Sequence, residues 1–188
     1  MLKKVLLGLL LIIGFVFLSP ISVLSAQTTV SSVPHWQSGN ITVYIPANEP
    51  KTDTMKHAFQ KWSKLSFGNL NFNFVSKEKA QITVTFTDKV SGDDGPIGIC
   101  NLSIQGPYIT KAEIQIAVNS KQQYSNDMIY TTMLHEIGHA LGLNDTTRKY
   151  RSIMHMPITA DQDVLSIDME KLFKVNNWSW SQKKVNLK

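Results

Sequence analysis

Between residues 40 and 118 the apolar positions recur mostly with a period of two. Ile41, Val43 and Ile45 alternate with polar neighbours and read as a half-buried strand, which a turn over Pro46–Pro50 ends. Phe72 and Phe74 mark a second strand, and Ile82, Val84 and Phe86 a third. Residues 97–104 predict a short strand at a sheet edge, and Ile114, Ile116 and Val118 a further one. Three stretches carry the helical period instead. Met55, Ala58, Phe59, Trp62 and Leu65 form one stripe, with Thr52 or Asp53 as the expected N-cap and Gly68 as the expected stop. His57 falls off that stripe and reads as a solvated residue. Tyr130, Met133, Leu134, Ile137, Ala140 and Leu141 form a second stripe, capped by Ser125 or Asn126 with Asp127 at the positive end of the helix. Thr132, His135, His139 and Gly142 share its neighbouring face, so this helix is expected to bury one side and offer the other to a cleft. A last, shorter helix is expected over Ser166–Val175, with Ser166 as cap and Met169, Leu172 and Phe173 inward. Five strands and three helices in this order predict an α+β fold.

The ends and loops set the boundaries. Lys3 and Lys4, an apolar run over 5–18 and the small residues around Ser25 and Ala26 have the pattern of a signal peptide over residues 1–26, which predicts export. The other reading is an uncleaved membrane anchor, for which the run is short against the ~20 apolar residues a spanning helix takes. Residues 27–34 are Ser/Thr-rich and read as a flexible start, 35–178 as one domain, and 179–188 as a C-terminal tail, with Trp178 and Trp180 set among polar residues. Residues 88–96 are an Asp/Gly-rich loop, in which Asp88, Asp93 and Asp94 offer oxygens to a calcium ion or simply solvate a turn. Without residues 1–26, which hold two lysines and no acid, the formal net charge falls from +5 to +3. A mild, scattered charge of this kind argues against a nucleic-acid partner. The single cysteine, Cys100, leaves no internal disulfide, so it is either a small apolar packing residue or a thiol able to bind a metal.

The chemistry is concentrated in His135-Glu136-Ile137-Gly138-His139-Ala140-Leu141-Gly142-Leu143-Asn144-Asp145, which reads H-E-x-x-H-x-x-G-x-x-D. Two histidines four apart on a helix lie on one face, so both imidazoles can reach one ion. A catalytic zinc takes three protein ligands and keeps one open position. Gly142 can adopt the positive φ that turns the chain back, and Asp145 then arrives with a hard oxygen as the third candidate ligand. Its other reading is a turn-forming residue that supports the ligands from outside. Glu136, beside the first histidine, is placed to act as a general base on water at the metal.

These residues, together with Met154, resemble the metzincin clan of zinc peptidases, and the strand–helix–strand–strand order ahead of them is similar to the matrixin-like, peptidase M10 type, catalytic domain. The resemblance covers about residues 35–178 and is strongest over 131–157. It implies a zincin fold with a mixed, twisted five-stranded sheet, an active-site helix and two further helices, and a methionine turn beneath the metal at Met154. Ser152-Ile153-Met154-His155 also resembles the astacin version of that turn, but astacins have a tyrosine two residues past the methionine, where Met156 stands here. Most metzincins have a third histidine where this chain has Asp145; a minority, including the snapalysin group, use aspartate. His155 is a fallback ligand at the wrong spacing and reads rather as a cleft-wall residue. Between residue 26 and residue 35 there is no room for a matrixin propeptide with its inhibitory cysteine, so latency by that route is not expected.

The activity implied is that of a secreted, extracellular zinc metalloendopeptidase, a monomer acting on peptide or protein substrates. Glu136 takes a proton from the zinc-activated water and later gives it to the leaving amine. An extended peptide is expected to pair with 97–104, and Met154–Ile158 to wall the pocket beside the scissile bond. The rivals are a non-catalytic zinc-containing binding module of the same fold, a membrane-tethered protease, and a zinc hydrolase of non-peptide substrates.

Overall fold

The computed structural model describes residues 33–90, 97–118, 124–148 and 150–178. The expected signal segment, Asp93, Asp94 and Trp180 lie outside them. Five strands, β1 (Asn40–Tyr44), β2 (Asn71–Phe74), β3 (Ile82–Thr87), β4 (Gly98–Gln105) and β5 (Tyr108–Ala117), and three helices, α1 (Thr52–Leu65), α2 (Asn126–Ala140) and α3 (Ser166–Val175), follow the predicted order. The sheet runs β2-β1-β3-β5-β4. The first four of these strands pair in parallel and β4 pairs antiparallel with β5, so the sheet is mixed and β4 lies at its edge, as expected. A hairpin turn at Gly106, where φ is +59°, joins β4 to β5. β5 begins well ahead of the Ile114–Val118 pattern, because its first half carries exposed polar side chains between the buried Ile109 and Ala112.

Ile41, Val43, Ile82, Val84, Ile114 and Ile116 of the sheet and Met55, Phe59 and Trp62 of α1 close around α2 in one core. Each such side chain stabilises the fold by about 1.5–3 kcal/mol through removal from water. Two indoles also tie the core to α2 by hydrogen bonds: Trp62 Nε1 donates to Leu134 O at 3.1 Å, and Trp36 Nε1 to Ala140 O at 2.8 Å. Both satisfy a donor that burial would otherwise strand.

α2 is more enclosed than an amphipathic surface helix. From Thr131 to Ala140 only His139 is not fully buried, whereas Tyr130, expected inward, is half-buried and Ile129 takes the inward place. The face carrying His135 and His139 is offered to a cleft, as expected, with Gly98–Cys100 of β4 on one side of it. Helix ends match expectation in part. Ser125 caps α2 through its hydroxyl, which accepts from Met128 N at 3.1 Å. Thr52 is instead the first residue of α1, its hydroxyl donating to Pro46 O and accepting from Glu49 N. Ser166 does not cap α3; the cap position is Leu165, whose N–H donates to the Asp168 carboxylate at 2.9 Å. Gly68, at φ +83°, follows the end of α1 as expected.

Candidate active site

α2 presents His135 and His139 one turn apart, with ring centroids 4.6 Å from each other. The helix then ends as the sequence requires. Leu143 N donates to Gly138 O and Gly142 N to His139 O, a paired closure that needs a left-handed residue, and Gly142 has φ +90°. A side chain at Gly142 would also strike Pro34 O, 2.4 Å from the would-be Cβ. This turn brings Leu143 O back to accept from His139 Nδ1 at 2.8 Å, and delivers Asp145 to the two imidazoles. His135 Nδ1 donates in turn to Ile153 O at 2.7 Å. With both Nδ1 protons engaged by carbonyls, both Nε2 lone pairs face the same point. Asp145 Oδ1 lies 3.3 Å from His135 Nε2 and 3.2 Å from His139 Nε2. Burial lowers the pKa of His135, with the neighbouring His139 adding to it. For His135, burial therefore makes the approach to Asp145 a convergence of ligand atoms rather than an ion pair.

His135, His139 and Asp145 form one metal-capable group, their ligand atoms within 4.8 Å of one another, and it is the group of this kind found among the described residues. Two imidazole nitrogens and one carboxylate oxygen suit zinc, and the oriented Nδ1 bonds are those a zinc ligand needs. A calcium site gains no support: Asp88 is exposed at the end of its strand, and its expected partners are not among the described residues. His155 is not a member of the metal group; it is half-buried, and its Nδ1 faces Gln162.

Glu136 is 3% exposed, and its Oε2 has no hydrogen-bond partner. Burial and the charge of Asp145 push its carboxyl up to about 8. A buried carboxyl is costly to leave unsatisfied, and this one keeps an unused oxygen beside the three ligand atoms. β4 passes directly over it. A Cβ on Gly98 would lie 2.7 Å from Glu136 Cγ and 2.6 Å from Thr132 Cγ2, so the strand reaches the helix only because residue 98 has no side chain. Beneath, Met154 is fully buried against Gly138, where any Cβ would fall 2.3 Å from its sulfur. The ligands open onto a cavity of about 400 Å³ lined by Ile97, Gly98, Ile99 and Cys100 of the β4 side, and by Met156 and Ile158 opposite. Cys100 lies outside the metal group, which leaves it the packing role, and burial with the charge of Glu136 pushes its thiol up to about 12.

Three supports of the site were not identified from sequence. Asp168 accepts from Ser152 Oγ at 2.5 Å, from Ile153 N at 3.3 Å and from Leu165 N. It thereby fixes the turn whose carbonyl orients His135. Its signal was its phase: Asp168 sits four residues before Leu172 on the inward stripe of α3. Gly98 carries no such signal, because its role depends on α2, remote in sequence; Gln162 bonds residues only three to seven positions away, but it lies outside any periodic element.

An α+β sheet with this helix, this donor set and a methionine beneath it defines a metzincin-like domain. The chain belongs to the matrixin family, whose signature matches residues 35–175. A probable matrix metalloproteinase, 095L, of Invertebrate iridescent virus 3 is 35% identical over 115 residues, 55% of this chain and 31% of that protein. Interstitial collagenases of Oryctolagus cuniculus and Equus caballus are 28% and 32% identical, each match covering 61% of this chain and 26% of the collagenase. The chain thus spans about a third or less of the length of these relatives. Among the described residues no helix is long and apolar enough to cross a membrane.

Proposed function

We propose that this protein is a secreted zinc metalloendopeptidase in which His135, His139 and Asp145 hold the metal and Glu136 is the general base. The observation that carries the reading is the unpartnered, buried Glu136 oxygen beside three converging ligand atoms. A binding module needs no such carboxyl to retain an ion. Zinc held there supplies a Lewis acid for the scissile carbonyl and lowers the pKa of water at the site. Glu136 accepts the proton of the attacking water and delivers it to the amine nitrogen as the C–N bond breaks. The Nδ1–H bonds of His135 and His139 to Ile153 O and Leu143 O turn both Nε2 atoms toward the metal position. Met154 supports the ligand helix from below. An extended substrate adds to the free edge of β4, and the cavity beyond takes one apolar side chain next to the scissile bond. Residues 1–26 direct export.

The test is casein hydrolysis by the purified protein, with and without a zinc chelator, beside Glu136→Ala. The expected result is cleavage that needs zinc and falls by about 100-fold or more in the variant while bound zinc is retained. Cleavage that persists in Glu136→Ala sinks the mechanism.

A further inference from the structure

The wall of the cavity opposite β4 is Met156–Ile158, a segment outside every helix and strand, with Met156 40% exposed. A free loop could not hold two apolar side chains at a fixed distance from β4. One side chain holds this one. Gln162 is 4% exposed and sits inside the bend. Its Oε1 accepts from Thr159 N at 3.1 Å. Its Nε2 donates to His155 O at 2.9 Å and to Pro157 O at 3.1 Å, and lies 3.3 Å from His155 Nδ1. The backbone closes the same turn, Gln162 N donating to Thr159 O at 3.2 Å. The donated bonds fall on the residues either side of Met156, and the accepted bond on the residue after Ile158. Each wall side chain is therefore bracketed by bonds to a single buried amide. Upstream, Met156 N donates to Thr146 O and Thr146 N to Met154 O, so the wall is also tied to the residue following Asp145.

We propose that Gln162 is the positioning residue that sets the shape of this wall, and with it the preference for a large apolar substrate side chain in the cavity. Gln162 touches neither substrate nor metal; it acts through Met156 and Ile158. The proposal rests on the peptidase reading above.

Two variants separate the bonds from the volume. Gln162→Met keeps the length and removes every side-chain hydrogen bond; Gln162→Glu keeps the acceptor for Thr159 N and loses both donors. They are assayed on peptides differing only in the residue after the scissile bond, Ala, Leu or Phe. The wild type is expected to favour Leu or Phe over Ala by about 10-fold or more in kcat/KM. Both variants are expected to bring that ratio below about 3-fold, through a higher KM for the large side chains with kcat falling less than about 2-fold. A ratio that stays at the wild-type value in Gln162→Met overturns the proposal. Amide hydrogen exchange on the intact protein is a second, independent measurement that needs neither a folded variant nor turnover. The Thr159 amide is expected to be protected in the wild type, and rapid exchange there overturns the clamp. A wild type that cleaves none of the peptides counts against the peptidase reading alone, and the exchange result then decides the clamp.

Discussion

Cys100 and Glu136 line one cavity, and burial pushes both acids in the same direction. For Glu136 this is compatible with moving a proton, since a carboxyl held near neutrality both takes and returns one. For Cys100 it removes reactivity, because only the thiolate attacks. With the thiol at about 12, its reaction with a disulfide reagent at pH 8 should run about 100-fold slower than that of a free cysteine, even after allowing for the greater nucleophilicity of a high-pKa thiolate. The rate should keep climbing as pH rises past 9, since the thiolate fraction is still growing there. Stopped-flow kinetics with a chromogenic disulfide measure this; a rate equal to that of free cysteine would overturn the packing role assigned to Cys100. The choice between packing residue and metal thiol was open in the sequence because a lone cysteine among isoleucines fits either. What separates them is burial, to which the charge of Glu136, thirty-six positions away, adds, together with the place of Cys100 outside the metal group.

α2 and its following turn were legible because their chemistry is local. Helical spacing sets His135 beside His139, and a glycine fixes where Asp145 arrives. α3 was legible as a helix but not as a part of the site, since its contribution is one carboxylate reaching a turn that precedes it by some fifteen residues. Asp168 is fully buried and accepts from Ser152 Oγ, Ile153 N and Leu165 N. Replacing it by alanine strands these donors inside the protein and should cost about 3 kcal/mol, enough to lower Tm by roughly 10 °C. It should also loosen Ile153 O, the acceptor that orients His135, and weaken zinc binding by about 10-fold. Asp168→Asn, which keeps one acceptor oxygen, should fall between. Calorimetric scans and a competitive zinc titration read the two effects. A variant that loses stability with zinc affinity intact would show that α3 supports the fold and not the ligand.

Across the whole molecule, the expected ligands come from two connected segments, α2 and the turn after it, while their orienting carbonyls come from that turn and from the strap around Met154 that α3 secures. The chain has one cysteine, so no internal disulfide joins these parts. An ion bound by His135, His139 and Asp145 would cross-tie them, and binding to the folded state alone adds about 2.7 kcal/mol at a free metal concentration 100 times Kd. Zinc at that level should therefore raise Tm by roughly 5–10 °C over the chelated protein. Asp145→Ala offers the discriminating comparison. The Asp145 side chain is 50% exposed and makes its contacts with the two ligand imidazoles, so its loss should barely move the Tm measured in chelator. The zinc-induced rise, by contrast, should shrink to a small fraction of the wild-type shift, because a three-ligand site loses its only anionic donor. If Asp145→Ala keeps the full zinc-induced rise, Asp145 is a turn residue and the third ligand has to be sought elsewhere; if it lowers Tm equally with and without zinc, its role is in the fold.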